Sequence, residues 1–125
     1  MTVKHADDVR RDPVGAGEGT VRQILIGPEE GPNFALRRFI MEPGGGMPPH
    51  TNTVEHEQYV LRGRARIGIG AEVHDVRTGD VVFIPAGTPH WYEAGEGEPF
   101  EFLCVVPNAP DTIEILKERS PGPTS

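Results

Sequence analysis

Residues 48–63, PPHTNTVEHEQYVLRG, carry two histidines, His50 and His56, directly ahead of a run that reads as a strand ending in glycine. An inward-pointing imidazole suits iron, zinc, copper, nickel or manganese, but a bound divalent ion needs several donors converging at about 2.0–2.2 Å. Two donors on adjacent strands do not suffice. The third candidate is His90, in GDVVFIPAGTPHWYEA. There a strand ends at Pro85, PAGTP makes a tight turn, and the chain re-enters the sheet at His90. Gly87 can supply a positive φ and Pro89 fixes the backbone before the histidine, so the turn aims the next side chain. The plainer use, polar residues on ordinary hairpins, stands beside this chemistry.

Short strands must position these residues. TVRQILIG, FALRRFIMEPGGG, HEQYVLR, RARIGIG, EVHDV, VVFIPAG, HWYEA and FEFLCVVP are apolar or alternating runs separated by turn signals such as PEEGPN, RTGD and GEGEP. Even spacing without a helical period predicts an all-β sandwich or barrel. In HEQYVLR the alternation puts His56, Gln58 and Val60 on one face and Glu57, Tyr59 and Leu61 on the other. The same rule aligns Phe100, Phe102, Cys104 and Val106. Both faces carry apolar residues, as expected for strands between a barrel interior and a second sheet or a partner subunit, and a homodimer is expected. PDTIEILKERS reads as a short C-terminal helix with Ile113, Leu116 and Ile115 on its apolar side. Residues 1–20 form a polar arm expected to be extended or loosely held, residues 21–119 one domain, and residues 120–125 a disordered tail.

Composition narrows the class. A chain of 125 residues accommodates one core. The 16 Gly and 13 Pro, scattered without a period, suit many turns. A net charge of −7 argues against nucleic acid or an anionic membrane as the partner, and no run approaches the roughly 20 apolar residues of a membrane span. The single cysteine, Cys104, excludes an internal disulfide and a thiolate zinc knuckle, and a cytoplasmic protein that is not exported is expected. No phosphate-binding glycine loop or nucleophile triad is visible.

Gly44 precedes His50 with five residues between, and Gly63 follows His56 with six; Gly79, Pro85, Gly87 and His90 repeat a second fixed spacing. In these positions the sequence resembles the cupin superfamily, whose two motifs run G-x5-HxH-x3,4-E-x6-G and G-x5-PxG-x2-H-x3-N. The motifs cover about half the chain. It departs from them at Asn52, where the second histidine usually stands, at His56, where the spacing expects glutamate, and at Ala94, where the last Asn falls. Counting to Glu57 instead leaves only five residues before Gly63.

The resemblance implies a jelly-roll β-barrel holding one divalent transition metal (Fe, Mn, Zn, Ni or Cu) through His50, His56 and His90. Asn52 is either a fourth, weaker oxygen donor or a hydrogen-bonding loop residue. Three neutral imidazoles leave the ion its full double charge and an open position, suited to polarising an oxygen ligand or lowering the pKa of bound water. The function implied is a metal-dependent enzyme on a small polar, oxygen-rich substrate, either a dioxygenase or a Lewis-acid isomerase or lyase. The alternative is a non-catalytic binding or sensor protein. Gln58 and Tyr92 are the candidate catalytic residues. Cys104 is read as a small buried hydrophobe, and His5 and His74 as solvated.

Overall fold

The structure is a computed structural model that describes residues 1–117. Among the described residues, a single helical turn at Ala6–Asp8 is followed by ten strands: β1 (Asp12–Pro13), β2 (Glu18–Ile26), β3 (Phe34–Asn52), β4 (His56–Arg62), β5 (Arg64–Ile69), β6 (Glu72–Arg77), β7 (Val81–Ile84), β8 (His90–Ala94), β9 (Phe100–Pro107) and β10 (Ile113–Ile115). All strand pairs are antiparallel. The architecture is all-β, as the turn spacing predicts, and is the jelly-roll barrel that the cupin resemblance implies.

Two sequence runs separated by PGGG merge into one strand, β3. Its first half pairs with β2 and β9, and its second half with β8 and β10. One strand therefore belongs to both layers and turns the corner between them. Glycine permits the corner: a Cβ at Gly46 would lie 2.1 Å from the Tyr92 carbonyl oxygen of β8. One layer runs β1, β2, β3, β9, β4, β7, and the other continues from β3 through β8, β5 and β6.

The core lies between the layers. Alternation along β4 and β9 behaves as read: His56, Gln58 and Val60 are buried, as are Phe100, Phe102, Cys104 and Val106. Phe39 stacks on Phe102 at 5.1 Å, and Tyr92 stacks on Phe102 at 5.2 Å, so an aromatic column from β3, β9 and β8 ties one layer to the other. Each such pair adds about 0.5–1.5 kcal/mol beyond area burial. On the outer face of β4 and β7, Tyr59, Val81 and Phe83 are exposed.

Two expectations change. Among the described residues no C-terminal helix forms: Ile113–Ile115 is a strand pairing with Asn52, Thr51 and His50 of β3. Thr112, Ile113 and Ile115 are β-branched, and the open edge of β3 satisfies their backbone better than one isolated helical turn would. The KERS end of that reading, beyond Lys117, and the tail lie outside the described residues. The N-terminal arm is tied down rather than loosely held. Buried Gln23 donates through Nε2 to the carbonyls of Ala6 (2.7 Å) and Val9 (2.9 Å), and β1 pairs with β2. Among the described residues no helix is long and apolar enough to cross a membrane.

Candidate functional site

The corner in β3 delivers His50 directly opposite His90 of β8, with β10 on its other side. The two rings stand 4.1 Å apart between centroids. His56 comes from β4 in the other layer, its ring 5.5 Å from that of His90. All three are buried, as are Asn52 and Gln58. The PAGTP turn does its expected work: Gly87 adopts φ 76° and its N–H donates to the Asn52 carbonyl at 2.8 Å, locking the two motif loops together.

Hydrogen bonds set the rings' protonation. Nδ1 of His50 lies 2.8 Å from the Pro48 carbonyl oxygen, and Nδ1 of His90 lies 2.9 Å from that of Thr88. A carbonyl only accepts, so each Nδ1 carries the proton and each Nε2 is left with its lone pair. Nδ1 of His56 lies 3.3 Å from both Arg37 Nη2 and Cys104 Sγ. Arg37 and Gln58 both donate to Sγ, which makes the sulfur an acceptor. In the tautomer whose Nδ1–H joins them, His56 Nε2 also carries a lone pair.

Four buried side-chain atoms among the described residues have no hydrogen-bond partner, and their residues all line this cavity: His56 Nε2, Asn52 Oδ1 and the Nε atoms of Arg22 and Arg37. The Asn52 amide is oriented by its Nδ2, which donates to Asp111 Oδ2 at 3.1 Å. Asp111 also receives the Thr53 N–H at 2.9 Å. As the rings stand, no three His, Cys, Asp or Glu side chains among the described residues are drawn to metal-holding distances. The donor chemistry nevertheless fits a transition metal, because neutral imidazoles and an amide oxygen line one buried cavity and two of these donor atoms, His56 Nε2 and Asn52 Oδ1, lack a hydrogen-bond partner.

Burial lowers the pKa of all three histidines. His56 falls to about 3, with the Arg37 charge and His90 adding to desolvation, and His90 falls to about 4, with His50 adding. His50 is lowered by burial against the opposing pull of the Pro48 carbonyl and Asp111. All three rings are thus neutral at pH 7, ready to act as ligands without releasing a proton. In the metal-free chain the unfolded state, with histidines near 6.5, takes up protons first as pH falls. Stability is therefore complete above about pH 6.5 and declines as pH drops toward the folded values near 4 and 3. Urea unfolding of chelator-treated protein is expected to lose on the order of 2–4 kcal/mol between pH 7 and pH 5. Equal midpoints at the two pH values would contradict buried, neutral imidazoles.

The histidines open on a cavity of about 110 Å³ walled by Phe39, Met41, Met47 and Phe102. That is room for about four waters at roughly 30 Å³ each, and so for a small molecule or the reacting end of a larger one. Both candidate catalytic residues face it. Gln58 Nε2 donates to Tyr92 Oη at 2.7 Å, and burial, with Cys104 nearby, raises the pKa of the phenol. Tyr92 therefore keeps its proton at physiological pH.

Sequence reasoning missed Arg22, Arg37 and Asp111. Alternation in FALRRFIM places Arg37 on the same face as Phe39 and Met41, a signal present but unread. Nothing local marks Asp111, which reaches the site only because β10 docks on β3.

Residues 37–106, more than half of the chain, match the family described as Cupin domain. The crystal structure of the polyketide cyclase RemF from Streptomyces resistomycificus is 32% identical and superposes with a TM-score of 0.83 over 97% of this chain and 90% of that one. Acireductone dioxygenase 1 of Pectobacterium atrosepticum is 28% identical over 86% of this chain and 61% of its own length. Acireductone dioxygenase of Synechococcus sp. is 34% identical over 80% of this chain and 50% of its own length. The chain thus spans only about half to three-fifths of the dioxygenases it matches.

Proposed function

Since the chain belongs to the cupin superfamily, we propose that it is a metal-dependent enzyme acting on a small, oxygen-rich substrate. His50, His56 and His90 hold one divalent transition metal, with Asn52 Oδ1 as a weaker fourth donor. The observation that carries this reading is the pair of partnerless buried atoms, His56 Nε2 and Asn52 Oδ1, beside two imidazoles whose backbone bonds leave Nε2 bare. Bound there, the metal supplies Lewis acidity to a carbonyl or enol oxygen.

The chain's own residues do the rest. The aromatic and methionine walls exclude bulk water. Tyr92 presents a proton to an oxygen or carbon that gains electron density, and Gln58 holds the phenol in position by donating to its oxygen. We favour the Lewis-acid form of the chemistry, an isomerase, lyase or cyclase, because the chain is similar nearly end to end to a polyketide cyclase. The dioxygenase reading stands second, on the likeness to acireductone dioxygenases.

The test is elemental analysis of untagged protein, followed by substrate turnover with and without dioxygen. Near one equivalent of metal and oxygen-independent turnover support the first form. Oxygen consumption coupled to turnover moves the assignment to the second, and absence of metal after anaerobic reconstitution removes both. The proposal extends to a cytoplasmic homodimer. Free, buried Cys104 suits a reducing compartment, and exposed Tyr59, Val81 and Phe83 suit a face covered by a second copy. Phe83→Glu is expected to convert a dimer to monomer in sedimentation; an unchanged sedimentation coefficient would exclude that face.

A further inference from the structure

Strand register lines up one row of the cavity face: Arg37 of β3 opposite Cys104 of β9, and Cys104 opposite Gln58 of β4. Arg22 of β2 is paired with Phe39, so it shares that face one step away. Both arginines line the cavity with the histidines. Arg37 lies over the Phe39 ring, its guanidinium carbon 5.1 Å from the centroid.

The two guanidiniums are not neutralised. The Nε atoms of Arg22 and Arg37 are buried and have no partner, and among the described residues neither arginine forms an ion pair. Arg38, one residue along and facing the other way, is paired with Glu101 and reaches Gln23. The cavity lining contains no Asp or Glu. Partly buried cations without counter-ions destabilise a fold, and an arginine fork matches a planar oxyanion.

We infer that Arg37, assisted by Arg22, is the anion-recognition element of this cavity, and that the ligand it takes carries a delocalised oxyanion, a carboxylate or an enolate. The free Nε–H groups receive the charged oxygens, and the neutral imidazole wall faces the remainder of the molecule. This deepens the proposed function by naming the charge and chemical class of the substrate. It rests on the same cavity, but not on the metal.

The test is calorimetric titration of the full chain with two small probes, squarate as a planar enolate-type anion and glycolate as a carboxylate. Each is titrated into zinc-loaded and into chelator-treated protein. Arg37→Met is expected to weaken binding at least tenfold in both metal states, Arg22→Met to weaken it less, and Arg37→Lys to recover part of the loss. The methionine variants are expected to melt about 2–8 °C higher without ligand, because an uncompensated charge is gone. A response to squarate alone assigns an enolate, and a response to glycolate alone a carboxylate. No binding by wild-type protein, or unchanged affinity in a folded Arg37→Met variant, overturns the inference and leaves Arg37 as a brace for His56 and Cys104. Zinc content of the same samples separates the two ideas. Arginine-dependent anion binding by protein that fails to take up stoichiometric zinc when loaded would sink the metal centre and spare the arginines, and stoichiometric zinc with arginine-independent binding would do the reverse.

Discussion

His56→Ala is expected to lose bound metal and turnover together while the barrel stays folded. His56 is the only one of the three histidines contributed by the β4 layer, so its loss leaves His50 and His90 as a two-nitrogen site. The loss of turnover should exceed the roughly 10–100-fold cost of removing a residue that merely supports a ligand. Stability should change by only about 1–2 kcal/mol, since the cavity created is offset by removal of a buried nitrogen without a partner. Asn52→Ala is the companion measurement. If Oδ1 is a donor, metal affinity falls; if Asn52 serves only to hold Asp111 through Nδ2, metal is retained and the β10 segment loosens. Full activity in metal-free His56→Ala would refute the enzyme reading as formulated.

Tyr92→Phe is expected to lower kcat by about 10²-fold or more, with KM and metal content little changed, the signature of a lost proton donor. The phenol is buried, accepts from Gln58, and has its pKa raised by desolvation, so it is protonated wherever the protein is folded and active. Gln58→Leu should act through Tyr92 and cost less. Combined with Tyr92→Phe it should add little, as residues acting in one network are not additive. Tyr92→Phe also leaves the Gln58 amide with only its 3.6 Å contact to Cys104 Sγ, a stability loss of about 1–3 kcal/mol. Unchanged kcat would confine Tyr92 to its stacking on Phe102.

Alternation in HEQYVLR and FEFLCVVP, with Gly and Pro at the turns, was enough to assign an all-β fold and to predict which residues of β4 and β9 point inward. Motif spacing singled out His50, His56 and His90, because each follows a backbone constraint written locally: a glycine corner, a strand of fixed register, and a turn closed by Pro89. Other features depend on partners distant in the chain. TIEI is a strand and not a helix because β3 offers an open edge next to His50. FALRRFIM and PPHTN become one strand because β9 and β8 take up its two halves.

The charge of the cavity belongs to the same class. Arg37 and Arg38 are neighbours of identical type, yet one meets Glu101 and the other meets Cys104 and His56. The sequence by itself determined the all-β class and its inward faces, since strand periodicity and turn chemistry are local properties of the chain, and its cupin-like motif spacing named the barrel and the three candidate histidines. Only the tertiary structure decided which arginine is left without a counter-ion, which atoms of His56 and Asn52 lack partners, and that Asp111 orients Asn52. Those outcomes depend on contacts between residues up to 67 positions apart, which no local pattern encodes.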